Sequence, residues 1–552
     1  MKIAVELHNK KKATIAAMRT DRLPTWNLWR ELANYYLPQR YTWLLSDAER
    51  KVKNAKNPYI LDGSGTLAAR TLASGMMNGV TSPTRPWFKL RVPGFDDEAE
   101  TPARLWLDEV TRRMLLIMAE SNFYNALAVM YLDLAVFGTA ALLIYEDQES
   151  VIRCFNPNLG EFYIAQSDRL QVNTFAREFT YTVAQVEARW GRENMSATRQ
   201  EACKAGGARL QESMKIVHLI EPNTYEDPKV PKSFKFREYY WEEGGPEGEV
   251  LSARGFNEMP GIFPRWELSG NDSYGSCPAM DALGDVIQLQ FETKKKAQGL
   301  DKMVNPPLVA DIQLKHRPTA LVPNGITYVA GQNNVGMKPA YQVQIPFNEL
   351  TLDITDIRAR IRETFHNQLF TMISNLDTVR SATEIDARRE EKLVLLGSVL
   401  ERFENEGLDP GINRVFNIML RAGLLPEIPE ELADRDIEIQ YVSILSAAQR
   451  AVGVVPVERW LTLIGNVAPI YPKAVNIPNW DEVLISYGRD LGVPAKQIKT
   501  LEEIAAQNQQ QDELDAQREA AASGEVLVNA GKTLSETEVG GGANALQRLL
   551  GG

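Results

Sequence analysis

Two long helical patterns with a proline-bounded, strand-like insert between them constrain this chain more than any other feature. Residues 278–304 read as one helix that stops at Asn305-Pro306-Pro307, because proline has no N–H to donate and pushes its predecessor out of the α region. Two short β-type runs follow, LVADI and ITYVA, with Pro323-Asn324-Gly325 marking a turn. A second helical pattern covers 347–373, where Ile354, Ile357, Ile361, Phe365, Leu369 and Met372 recur at steps of three and four. That is a single apolar stripe, and Arg358, Arg360 and Arg362 lie mainly off it. After the run NLDTVR, Ser381 and Glu384 have the spacing of a capping box, and Ile385, Arg389, Leu393, Leu396, Leu400 and Phe403 continue a third helix. Gly407 and Pro410 are expected to interrupt it before a further helix that ends at Gly423 and Pro426.

Upstream, residues 10–37 read as helix, with Trp26, Trp29, Ala33 and Tyr36 at helical spacing and Pro38 as the stop. Residues 103–135 predict two helices split near Ser121-Asn122. Between about 136 and 265 the pattern changes to β-type runs, TAALLIYE, EFYIAQ, KIVHLIE and KFREYYW, separated by loops rich in Gly, Pro and Glu. The expected class is therefore α+β, mainly helical. Residues 431–500 are expected to be mostly helical with many prolines, and the end of the chain is low in large apolar residues.

The segment NPYILDGSGTLAARTLASGMMNGVTSPTRPWFKLRV, residues 57–92, supports two readings. Gly63, Gly65 and Ala68 match G-x-G-x-x-A, a dinucleotide fingerprint, which suggests a soluble nucleotide-dependent enzyme as an alternative. That fingerprint requires a buried strand ahead of the turn, and only Tyr59-Ile60-Leu61 precede it, directly after Pro58. It also requires an acid about 20 residues on for the ribose, and Thr81 to Pro93 contain none. The competing reading is a small-residue helix, about Thr66 to Asn78, that lets a neighbouring backbone approach closely.

Other chemistry finds little support. There is no G-x-x-x-x-G-K-[ST] to cradle ATP, no H-E-x-x-H and no G-x-S-x-G elbow, and His8, His218, His316 and His366 are scattered. Cys154, Cys203 and Cys277 form no C-x-x-C pair, which fits a reducing compartment and predicts no disulfide framework and no cysteine-built metal site. No catalytic residue, cofactor or metal is expected. No run of about 18 apolar residues occurs, so no membrane span is expected. The formal net charge is −11, which argues against a protein that grips nucleic acid over a basic surface. Residues 501–552 hold nine acids and three bases, more than half of that net charge.

The order helix, small β insert, helix, short loop, capped helix resembles the core of podophage portal proteins, the head-to-tail connectors of short-tailed phages. The run RSATEIDARREEKLVLLGSVLERFENEGLDPGINRVFNIMLRAGLLP and the stretch 57–92 are similar to that family too, and the likeness covers about residues 20–430. The resemblance implies an N-terminal region and α/β wing body at 1–277, a stem of helices 278–304 and 347–373, and a clip at 305–346. It further implies a tunnel loop at 374–382, wing helices at 383–430, a crown at 431–522 and a flexible tail at 523–552. It implies a virion-borne homo-oligomeric ring, a dodecamer, with double-stranded DNA passing through it. Terminase, tail adaptor, major capsid and scaffolding proteins would be its partners. Lys294, Lys295, Lys296, Lys302 and Arg380 are the residues expected to meet DNA in such a channel; successive lysines point about 100° apart, so they cannot all face it. Another shell component, a capsid or adaptor protein, is the third reading; three successive long helices around a small insert speak against it.

Overall fold

A computed structural model describes residues 2–44, 59–92, 102–224, 229–304, 308–309, 338–339, 346–374, 396–429, 432, 437–442, parts of 460–485, and residues 504, 529 and 532. The chain divides into two compact units, Met1–Leu90 with Leu105–Leu445, and Arg91–Arg104 with Ser446–Gly552. Within the second unit, helical residues 460–467 bury Ile464 and leave Leu463 exposed.

The first unit opens with α1 (Val5–Tyr35), five residues earlier than the tryptophan spacing indicates, because Leu7 and His8 extend its buried side toward the N-terminus. Next come α2 (Ser64–Val80) and strand β1 (Phe88–Arg91). Helices α3 (Pro102–Glu120) and α4 (Phe123–Phe137) break at Ser121-Asn122, as the sequence predicts. Asn122 explains the break: its amide pairs with both backbone groups of Cys154, at 2.8 Å each, and so fastens the turn to a neighbouring strand. No single helix among the described residues is long and apolar enough to cross a membrane; α3 and α4 pass only as a pair, and they meet at a 76° bend.

The β body follows. Strands β2 (Leu142–Asp147), β3 (Val151–Phe155) and a short β9 (Gly261–Ile262) form one sheet in the order β3-β2-β9. Strands β4 (Phe162–Gln166), β5 (Val172–Thr182), β6 (Ser213–Pro222), β7 (Phe236–Glu242) and β8 (Ser252–Phe256) form a second, antiparallel meander in sequence order. With antiparallel sheets and segregated helices, the class is α+β. Four of these strands contain the β-type runs of the sequence. Strand β5 does not read as a strand, because Asn173, Thr174, Arg177 and Glu178 interrupt its apolar pattern.

Both faces of the meander are covered, which is why KIVHLIE is apolar without alternation. Ile216 and Tyr240 pack with Val186 and Trp190 of α5 (Val183–Trp190) and Cys203 of α6 (Ala197–Ala205), whereas Val217, Leu219, Tyr239 and Trp241 pack with Ile15 and Met18 of α1. One chain of polar groups within this sandwich is fully paired. Arg177 Nε donates to His218 Nδ1 at 3.1 Å. A guanidinium can only donate, so the imidazole proton sits on Nε2 and is given to Glu238 Oε1 at 2.8 Å. Tyr145 and Tyr240 also donate to that carboxylate, at 2.9 and 3.1 Å.

Burial lowers the His218 pKa to about 4, with Glu238 opposing and Arg177 assisting. Because the folded value lies below the ordinary 6.5, neutral His218 contributes stability above pH 6.5, and that contribution is lost as pH falls from about 6.5 to about 4. Thermal unfolding is expected to shift to lower temperature across that window in the wild-type chain and to shift less in His218→Gln. Equal pH slopes for the two proteins would remove His218 from the acid response.

Helix α7 (Leu283–Val304) follows a separate turn, Pro278–Asp281, so the expected single helix over 278–304 is broken at Ala282. Strands β10 (Leu308–Val309) and β11 (Lys338–Pro339) pair antiparallel. The run ITYVA and its preceding turn lie outside the described residues. Helix α8 (Phe347–Thr364) and helix α9 (Asn367–Ser374) replace the continuous helix expected over 347–373. Between them His366 adopts a left-handed φ of 51°. The Asn367 amide, oriented to donate, reaches Phe365 O at 3.2 Å and Ala68 O at 3.0 Å, so the bend is held against α2. It lets Phe365, Leu369 and Phe370 bury together, at 0%, 1% and 5% exposure.

The capping box at Ser381 and Glu384 lies outside the described residues. From residue 396 the chain is helical through α10 (Asp409–Arg421), and Gly407 and Pro410 do not interrupt it. Instead Glu404–Leu408 forms a π-turn, and Pro410 sits in the first turn of α10, where a missing N–H costs nothing. The π-turn brings Glu406 to buried Arg265, whose Nε and Nη2 donate to its two oxygens at 3.0 and 2.9 Å. α10 stops just short of Gly423, as expected. Strand β12 (Glu438–Tyr441) then departs from the helical expectation for 431–500 by pairing with β1, with Tyr441 stacked on Trp87 at 6.5 Å.

Candidate functional site

Helices α7 and α8 lie side by side as a strut, and the β10–β11 pair falls between them in the chain. The apolar stripe read from the sequence is the buried side: Ile354, Ile357 and Ile361 are 3%, 0% and 0% exposed, and Val286 and Leu289 of α7 are fully buried. Arg360 ties the helices at a second level through Asp285 at 3.2 Å. Several apolar side chains of the strut stand exposed in the single chain. Phe291, Leu300 and Val304 of α7 and Leu352 of α8 are 60%, 53%, 69% and 70% exposed.

The turn before α2 fastens this strut to the N-terminal region. Gln290 of α7 accepts from Leu61 N and Asp62 N at 2.7 and 2.8 Å and donates to Asp62 O at 2.9 Å. Asp62 accepts from Ser64 N at 2.8 Å and from Arg358 Nη2 of α8 at 2.6 Å. One carboxylate thereby takes the first N–H of α2 and holds α8; hydrogen bonds from Ser64 and Arg358 outweigh its burial and lower its pKa. Tyr36 closes the other side, donating to Ala279 O at 3.0 Å.

This geometry corrects the nucleotide reading of Gly63 and Gly65. The described residues just ahead of the turn, 59–62, are not in a strand, and Asp62 accepts from the first N–H of the helix, at Ser64, which sets a carboxylate where a pyrophosphate would have to sit. A Cβ on Gly65 would lie 3.1 Å from both Tyr36 Cε1 and Val286 Cγ2. The glycine is there for close packing of α2 on the strut.

The lysines divide by direction. Lys296 turns toward α8 and donates to Thr351 Oγ1 at 2.9 Å. Lys295 lies over the Phe291 ring at 5.3 Å, and Lys294, Lys295 and Lys302 are exposed. At about 100° per residue, Lys295 and Lys302 stand within about 20° of one another, roughly 10 Å apart along α7. Arg380 lies outside the described residues. Helix α7 carries four lysines against Asp285, Glu292 and Asp301, and α8 three arginines against Glu349, Asp353, Asp356 and Glu363. The strut is thus formally neutral in a chain of net charge −11. The Asp62–Gln290–Arg358 junction has no sequence signal beyond a polar residue beside a glycine turn, because its three members are about 230 and 68 positions apart in the chain.

Residues 9–498 match the family model described as bacteriophage head to tail connecting protein. The chain is 38% identical over 511 residues to the probable portal protein of Bordetella phage BPP-1, covering 91% of each chain. It is 36% identical over 531 residues to the portal protein of Salmonella phage epsilon15, covering 95% of this chain and 94% of the relative.

Proposed function

Since the chain belongs to the bacteriophage head-to-tail connecting protein family, we propose that it is a portal protein: a ring at one capsid vertex through which double-stranded DNA is packaged and later ejected. The observation that carries this reading beyond kinship is the paired-helix strut, which leaves Phe291 and Leu352 exposed off its buried side and Leu300 and Val304 exposed toward the far end of α7. A soluble monomer has no use for Phe291, Leu300, Val304 and Leu352 in water. A closed ring gives each of them a neighbouring copy.

On this reading residues 278–304 and 347–373 are the stem, 305–346 the clip and 374–382 the tunnel loop. Residues 1–277 and 383–430 form the wing, 431–522 the crown and 523–552 the tail. The ring is a dodecamer in the virion, assembled in the host cytoplasm. The clip meets terminase and then the tail adaptor; the wing meets the major capsid and scaffolding proteins. The work is geometric and electrostatic, with no covalent chemistry in this chain; ATP hydrolysis belongs to the terminase.

DNA that must slide cannot be held at many phosphates, because each contact adds salt-dependent affinity. A strut of balanced charge in an acidic ring keeps the duplex centred while leaving a few cations, Lys295 and Lys302 first, to touch it. Lys294 and Arg380 are the further candidates, and Lys296 serves the contact between the helices. Negative-stain images of the purified chain are expected to show rings with a central hole. Lys295→Glu/Lys302→Glu should form the same rings but retain packaged DNA less well. Monomers in the images would end the ring reading; unaltered retention in the variant would remove these lysines from the channel.

A further inference from the structure

Away from the strut, the loop after α2 and the outer side of α3 enclose a groove of about 410 Å³ that the ring mechanism does not use. That volume lies within the ~300–1,000 Å³ of sites that bind small ligands or a few side chains. One wall is Pro83, Arg85, Pro86 and Lys89; the other is Arg112, Leu115 and Leu116, with Leu116 49% exposed. We propose that this groove docks an acidic peptide segment of another protein that carries an apolar anchor residue.

The groove is preformed. Trp87 beneath the loop is fully buried and donates to Tyr124 Oη at 3.0 Å, Ser82 and Thr84 share a hydroxyl hydrogen bond at 3.0 Å, and Leu90 N donates to Thr111 Oγ1 at 3.3 Å. Its charge opposes that of the chain. Three cations line it against a single acid, Asp108, whereas the whole chain is at −11. Two of the cations are largely uncommitted. Lys89 makes no hydrogen bond or ion pair among the described residues, and Arg85 makes only a long 3.4 Å bond to Asn78 O. Arg112 is already held by Glu109 at 2.8 Å and adds less.

A positive patch on an acidic protein selects an acidic partner, since a basic one finds the rest of the surface more attractive. Proline and leucine walls favour a peptide over a nucleic acid, whose binding needs a longer row of cations. The two prolines also fix the loop, which reduces the ordering cost of binding.

Displayed random octapeptides selected on the full-length protein supply the test. Enriched sequences are expected to be net negative with a Leu, Phe or Met, and to bind Arg85→Glu/Lys89→Glu at least tenfold more weakly while binding Lys295→Glu/Lys302→Glu unchanged. Leu116→Lys, at an exposed position, should weaken binding through the apolar wall and serves if the double variant does not fold. The proposal fails if the enriched peptides lack acids or bind the reversed groove equally well. It also fails if a DNA duplex binds the groove in their place, or if Arg85→Glu/Lys89→Glu changes the sedimentation of the chain because a second copy covers the site.

Discussion

Gly75→Val is expected to destabilise the junction of α2 with the bent α8–α9 pair by about 3 kcal/mol or more, the sum of overpacking and loss of Phe370 burial. At an unencumbered helix site, replacing glycine by alanine gains about 1 kcal/mol through propensity. Here the sign reverses. A Cβ at position 75 would overlap the Phe370 ring and lie 2.7 Å from Phe370 Cβ. Rotating χ1 moves the ring but not that Cβ, so α9 itself must retreat. Phe370 is 5% exposed, and its displacement opens the bend where Phe365 and Leu369 are also buried. Even Gly75→Ala should lose stability. Gly63→Ala, with nothing within 4 Å of the added carbon, should be near neutral. Denaturant unfolding and hydrogen exchange of α9 report the effect, and ring yield reports its consequence for assembly. Wild-type protection of α9 in Gly75→Val would show that the helix pair tolerates the extra volume.

Glu221→Gln should cost about 3–5 kcal/mol, the range for removing one partner of a buried ion pair. Glu221 Oε1 takes the Lys11 ammonium at 2.6 Å and Arg237 Nε at 2.9 Å. Lys11 and Arg237 are 1% and 0% exposed, and the ammonium also sits 3.7 Å above the Tyr239 ring. Neutralising the carboxylate removes the negative charge that both cations share under α1, where neither is reached by bulk water without lifting the helix from the sheet. Exchange protection should therefore fall first in α1. Adding Lys11→Met, which removes one cation and keeps the apolar stem, should recover part of the loss. Stability of Glu221→Gln within about 1 kcal/mol of wild type would sink the argument that this pair docks α1.

The parts of the fold that were legible before the structure share one property: their signal is local. The stripe at Ile354, Ile357 and Ile361 repeats every three or four residues, and it is the buried side of α8. Ser121-Asn122 breaks a helical period, and the helices part there. Proline and glycine misled where their cost was already met. Pro410 falls in a first turn and Gly407 within a π-turn, so the helix passes through both. Strand β5 was obscured for a related reason, since Arg177 reads as solvent-facing until His218 is placed against it.

The apolar stripe of α8, the small-residue helix and the acidic balance of the chain were set by composition and spacing alone, because hydrophobic periodicity and backbone restriction act within a few residues. Which lysine turns inward, what Gly65 and Gly75 make room for, and how Asp62 joins two helices nearly 70 residues apart were decided only in three dimensions. Those outcomes depend on side chains brought together by the packing of α2 on α7, α8 and α9, and no periodicity within one segment encodes a contact that another segment supplies.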